Sequence, residues 1–351
     1  MKAISSSRFT AGALLLTLLA PGAFSTQAAD ATSPNYKLIK EIPVGGDGGW
    51  DYLTVDTAGR RLYVSHASKF LVIDIDQDKV VGEVEDTPGI HGIAIAPEAK
   101  RAFSSNGREN KASIVDLESL KTLSKVETGQ NPDAIIYEPG QKEIYTFNGR
   151  ANSATVIEAA SGKVTATIPL PGKPEFAAVD TKTGHLFNNI EDKSVIVVID
   201  TKTHKVINTW PIAPGEEASG MALDEAHHRL FIGCGNKWME MIDTESGKVV
   251  GKVAIGQGVD ANAFDPGTQL AFSSCGDGTV TIAHEDSPDK LTVVQTLTTE
   301  KGAKTMALDP KTHRIYLASA KYEAAAAQPA GGGRQRPKMV PGSFKILVYG
   351  M

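Results

Sequence analysis

Short apolar runs separated by polar turns fill this chain, and one arrangement of them returns every 40 to 44 residues. The cleanest copy is residues 133–171, DAIIYEPGQKEIYTFNGRANSATVIEAASGKVTATIPLP. An inner run ends on an acid, and an apolar-aromatic pair follows six residues later. A V-I-D-like run comes next, and the turn Ala160-Ser161-Gly162-Lys163 leads into an alternating, Thr-rich segment. Period-two alternation bounded by such turns predicts four antiparallel strands per copy. The copies align on Asp56, Ala96, Glu138, Asp180, Asp224, Asp265 and Asp309. Four short strands at this period are the signature of propeller blades.

Two features refine the count. In a chain only 6% aromatic, a ring recurs at one position of all seven copies: Tyr63, Phe103, Tyr145, Phe187, Phe231, Phe272 and Tyr316. Rings at that position fill the gap between twisted neighbouring sheets, which makes them core rather than ligand-stacking residues. The seventh copy lacks a fourth strand, whereas residues 36–44 (YKLIKEIPV) read as an outer strand with no blade before it. Supplying the missing strand from the N-terminus closes the ring and removes an open edge. The expected fold is therefore all-β, a seven-bladed β-propeller of four-stranded antiparallel blades forming a single domain over residues 36–351. Residues 324–341, rich in Ala, Gly, Pro and Arg, read as a flexible loop inserted in the last blade.

The repeat also locates a channel face. Five residues before each alignment point stand Asp51, His91, Asp133, Glu175, Ser219, Asp260 and Lys304, of which six are ionisable and none is apolar. A polar ring at the channel mouth is predicted. Four carboxylates near one axis repel, so some hold protons, or Lys304 and His91 compensate, or a cation sits among them. Asp51, Asp133, Glu175 and Asp260 are the candidate metal ligands. Oxygen-rich surroundings with one imidazole suit Ca, Mg or Mn better than structural zinc. The loops between second and third strands add a candidate binding rim, Asn106 and Arg108 in one blade and Asn148 and Arg150 in the next. Asn-Gly is ordinary turn chemistry, but turns do not require the arginines, which suit a carboxylate or phosphate. His227, His228 and His284 stand off the ring and read as surface or satisfied residues.

Composition narrows the partners. The formal net charge is -5, and the N-terminal segment carries Lys2 and Arg8 without an acid, so the remainder is more acidic still. That disfavours nucleic acid or anionic membrane as partner. Lys2 and Arg8, the apolar run AGALLLTLLA and the small residues before position 29 read as a signal peptide over residues 1–28, followed by a short linker over 29–35. Pro21-Gly22 ends the apolar run well short of a membrane span. A periplasmic or secreted protein is expected. Cys234 and Cys275 occupy equivalent positions in adjacent copies, where Cα atoms would lie on the order of 10 Å apart, too far for a disulfide. Two buried thiols are expected. No HExxH, CxxC, GxSxG or P-loop pattern occurs.

The copies RLYVSHASKFLVIDIDQDKVVGEV, EIYTFNGRANSATVIEAASGKVTATIPL and RLFIGCGNKWMEMIDTESGKVVGKV resemble the YVTN-type β-propeller repeats of the YncE-like family, over essentially residues 36–351. The resemblance implies a seven-bladed propeller, export, and a non-enzymatic or unassigned role. Some YncE-like proteins are associated with single-stranded DNA, which an acidic chain with its aromatics in the core fits poorly. The more distantly similar lactonases and streptogramin-type lyases place a metal or catalytic His on the channel face. Three readings follow: a binding propeller holding a cation or small ligand, a divalent-metal-assisted hydrolase or lyase with His91 as general acid or base, and a scaffold for another envelope protein.

Overall fold

The computed structural model describes residues 34–323 and 338–351, with Met1 and Ala3. The rest of the expected signal peptide, the first part of the linker and residues 324–337 of the inserted loop lie outside the described residues.

Seven four-stranded antiparallel sheets form the domain, and in six of them the strands follow chain order from the axis outward. Blades I to VI begin with strands at Leu53, Ile90, Pro132, Pro174, Ala218 and Val259. All seven alignment points close an innermost strand. Blade VII consists of Met306–Asp309, Arg314–Ser319 and Lys345–Gly350, and Lys37–Pro43 pairs antiparallel with the last of these as its outer strand. Tyr36 fixes that strand: its hydroxyl donates to the His313 carbonyl at 2.8 Å, and its ring meets Phe272 edge-on at 5.3 Å. The expected closure is thus the observed one.

Every recurrent aromatic is buried, and each belongs to an interface with the following blade. Tyr63 packs among Ile90, Ile93, Ala102 and Val115 of blade II. Phe272 packs among Met306, Ile315 and Leu317 of blade VII, and Tyr316 closes the circle against Leu53, Leu62 and Leu71 of blade I. The core is therefore seven separate interblade layers, which is why the ring recurs once per blade.

Cys234 and Cys275 are both buried and unbonded to each other. Burial pushes each thiol up to about 12. Native protein at pH 8 should not react with a soluble thiol reagent, and unfolding should release two reactive thiols per chain. A denatured protein without free thiols would show a disulfide instead. Phe272→Ala should cost about 3–5 kcal/mol in a denaturant titration, the usual loss for emptying a buried aromatic site. A loss below about 1 kcal/mol would contradict the interface role given to the ring.

Candidate functional site

The innermost strands deliver the polar ring through a local irregularity. In blades II to VI the pairing of first with second strand shifts register at the ring residue, for example between Ile90 and Ile93 and between Pro132 and Ile135. Such bulges turn a side chain out of the alternation that would otherwise aim it at a neighbour. Small polar residues on second strands then fix the ring backbone. Ser65 accepts from the Asp51 N–H at 2.8 Å. Ser105 donates across the blade boundary to the Asp133 carbonyl, Asn189 to that of Ser219 at 2.7 Å, and Ser274 to that of Lys304. The ring is held by the same blade contacts that hold the fold.

Within the ring the charges sort into subsites. His91 Nδ1 lies 2.6 Å from Asp51 Oδ2 and 3.4 Å from Asp133 Oδ1. These three residues form a group whose donor atoms are close enough to share one ion. Glu175 instead pairs with Lys173 at 2.5 Å, and Lys173 also meets Glu191. Lys304 reaches Asp260 at 2.6 Å. The four carboxylates expected to act as one ligand set are therefore divided: Asp51 and Asp133 converge with His91, while Glu175 and Asp260 each carry a lysine.

Burial dominates the electrostatics here. It pushes the Asp133 carboxyl up to about 6, with Asp51 and Asp260 adding to the effect and His91 and Lys173 opposing it. Burial and the Asp133 charge push Glu175 up to about 7 against the pull of Lys173. Burial also raises Asp260, opposed by Lys304. For His91, burial disfavours the charged ring, but the Asp51 hydrogen bond and the charges of Asp133 and Glu175 outweigh it and raise the imidazole above its ordinary value.

Below the ring the channel is interrupted. The residues just after the ring positions are Tyr52, Gly92, Ala134, Phe176, Gly220, Ala261 and Thr305. The two large ones meet with ring centroids 4.6 Å apart. Tyr52 and Phe176 line both a polar cavity of about 470 Å3 at the ring and an apolar one of about 760 Å3 beyond it. Six carboxylates, those of Asp51, Asp133, Glu175, Glu191, Glu217 and Asp260, face the polar cavity together with Lys304. Burial, reinforced by Asp133 and Glu175, holds the Tyr52 phenol well above its ordinary value, so it is a neutral hydroxyl at the floor. Tyr52, Phe176, Lys173 and Glu217 escaped the sequence reading. The first two were visible as the only large side chains at their repeat position.

The rim differs from its sequence reading. Asn106 is fully buried, and its amide donates to Glu109 and Ser113. Asn148 is equally buried and donates to Ser153 and Thr155. These carboxamides tie second strand to third within their own blades. The adjoining glycine serves the ring: a Cβ on Gly107 would stand 2.6 Å from His91 Nε2, so its absence makes room for the imidazole. Arg108 and Arg150 are exposed and form no ion pair among the described residues.

The fold defines a seven-bladed β-propeller. A hydrazine synthase chain of Kuenenia stuttgartiensis superposes with a TM-score of 0.69 at 16% identity, covering 77% of this chain and 92% of that one. At that identity the likeness is one of fold alone. No protein-family profile and no curated protein matches the sequence.

Asp133, Glu175 and His91 all hold protons more tightly in the folded protein than in the unfolded chain. The stability they lend is present at low pH and is lost as pH rises through their folded values. In chelator-treated protein, the melting temperature of Asp133→Asn/Glu175→Gln should therefore gain on that of the wild type between about pH 5 and pH 8. Parallel curves would show that these groups are not proton-loaded.

Proposed function

We propose that this propeller is an exported binding protein whose channel mouth takes up a cation, either a divalent metal ion or the ammonium group of a small molecule. The observation that carries this reading is the charge of the polar cavity, where six carboxylates line an aromatic-floored space and Lys304, Lys173 and His91 are the basic groups that meet them. A metal ion would be held by Asp51, Asp133 and His91, whose donor atoms already converge. An organic ammonium would set its charge among the carboxylates and its apolar body on Tyr52 and Phe176. A bound cation favours the ionised forms of Asp133 and Glu175, whose proton affinities burial raises, so uptake releases protons. Membership among YVTN-type, YncE-like propellers and a periplasmic or secreted location rest on the repeat residues and the N-terminal pattern. Among the described residues, no helix is long and apolar enough to cross a membrane.

The 2.6 Å contact of His91 with Asp51 supports a second reading, a metal-assisted hydrolase or lyase. An imidazole oriented by a carboxylate beside a bound ion is placed to exchange a proton. In that case His91→Gln would abolish turnover while cation binding changed only a few-fold.

Calorimetric titration of chelator-treated protein with Ca2+, Mg2+, Mn2+ and 1,4-diaminobutane tests the binding reading. One or more should bind saturably, and Asp133→Asn should weaken that binding by at least about tenfold, the scale of a lost charge-assisted contact. Lys304→Met, which frees the Asp260 carboxylate from its internal cation, should strengthen it. Failure of all four probes to bind at pH 8 would refute the proposal.

A further inference from the structure

A second cluster lies at the opposite ends of the innermost strands, where blades V and VI meet. Asp224 closes the first strand of blade V, His227 stands in the turn that follows, and Glu285 comes from the third strand of blade VI. Their donor atoms lie close enough together to share one ion. His227 Nδ1 is 2.6 Å from Asp224 Oδ2 and 3.4 Å from Glu285 Oε2. Yet Nδ1, Asp224 Oδ2 and both Glu285 oxygens are buried without a hydrogen-bond partner. The groups touch without the alignment of an N–H···O bond. Buried polar groups left in that state are costly, and each calls for an explanation.

The repeat shows what the scaffold itself requires at these positions. The backbone N–H of Glu285 donates to the Gln269 carbonyl, and the equivalent bond recurs from Ile75, Leu117, Ala159, Thr201 and Thr244 in the other blades. Apolar or hydroxyl side chains fill that position everywhere else, so folding does not call for a carboxylate there. Glu285 is nonetheless 1% exposed. The carbonyls these bonds reach belong to residues four beyond the alignment points: Arg60, Lys100, Lys142, Gly184, His228 and Gln269, with His313 the seventh. Where that residue is basic it can meet the preceding blade's acid, as Arg60 meets Asp309 at 2.8 Å and His313 meets Asp265 at 2.6 Å. Blade VI has neutral Gln269, and Asp224 meets a second carboxylate instead.

We infer that Asp224, His227 and Glu285 form a binding site for a divalent transition-metal ion of the zinc type, clamping blade V to blade VI. One imidazole and two carboxylates are a ligand set that zinc accepts, and solvent can complete the coordination. The His227 side chain is 34% exposed, which gives the ion a way in. Asp224 Oδ1 stays with the Ala226 N–H at 2.9 Å, as its turn requires, so the site draws only on atoms the scaffold leaves over. This site is separate from the channel mouth and does not depend on what binds there.

Chelator-treated full-length protein, titrated with Zn2+ by calorimetry and followed by thermal melting, tests the inference. Wild type and Asp133→Asn should both bind Zn2+ and melt higher with it. Glu285→Thr installs the residue that blades IV and V carry at this position. It should fold, melt at or above the metal-free wild type, and lose at least about tenfold in Zn2+ affinity and most of the thermal gain. Three results would overturn the site: no Zn2+ binding by wild type, undiminished binding by Glu285→Thr, or binding lost in Asp133→Asn but kept in Glu285→Thr. A Glu285→Thr protein that is merely more stable, beside a wild type indifferent to Zn2+, would identify the cluster as a protonated acid pair and refute the metal.

Discussion

Seven strands that converge on one axis cannot choose their neighbours, and that convergence governs the chemistry of this protein. Each blade is positioned by its own aromatic layer against the next, so whatever residue opens an innermost strand is carried to the channel mouth. Here the delivered residues are mostly acids. Like charges in a partly buried cavity repel more strongly than in water, because the local dielectric is lower. Lys173 answers Glu175 and Glu191, Lys304 answers Asp260, His91 answers Asp51 and Asp133, and burial further raises the proton affinities of Asp133 and Glu175. None of these devices removes the excess negative charge. A site that keeps protons on carboxylates is one where an entering cation gains both attraction and the displacement of those protons.

The aromatic floor follows from the same geometry. One step inward from the ring the axis is too crowded for seven large side chains, and five blades supply Gly, Ala or Thr. Blades I and IV, facing each other across the ring, supply Tyr52 and Phe176. Their contact divides an apolar cavity from a charged one and gives the channel two chemically different ends. A pore for water or ions would not need the plug; a pocket with a floor does.

Repeat arithmetic made the scaffold legible and the site only partly so. The seven anchors, the seven aromatics and the N-terminal closing strand could be read because every blade must pack in the same way, and any residue fixed by packing recurs. Counting from those anchors also found the ring, Asp51 to Lys304, since its positions share the period. Direction could not be counted. Asn106 and Asn148 sit where a rim should be, but their amides turn inward to bond strand to strand, a choice made by neighbouring Ser and Thr side chains. Lys173 and Glu217 lie in loops whose course the period does not fix. His227, read from the sequence as a surface or satisfied residue, proved to face two carboxylates, one of them 58 positions away on another blade.

These cases point to where chemistry should be sought in a repeat fold. A residue that recurs is accounted for by the packing that makes it recur, as Tyr63 and its six counterparts are. A residue that departs from its repeat position must be explained by something local, and the cost of the departure measures how much. Tyr52 and Phe176 depart by size where small residues suffice. Glu285 departs by charge in a place that Thr and Ala fill in other blades, and it does so next to an acid that faces neutral Gln269, where Asp309 faces Arg60 and Asp265 faces His313. Burying a second carboxylate beside Asp224 where Gln269 offers no cation is unfavourable, so the pair needs a proton on His227 or Glu285, or the cation inferred above, to offset it.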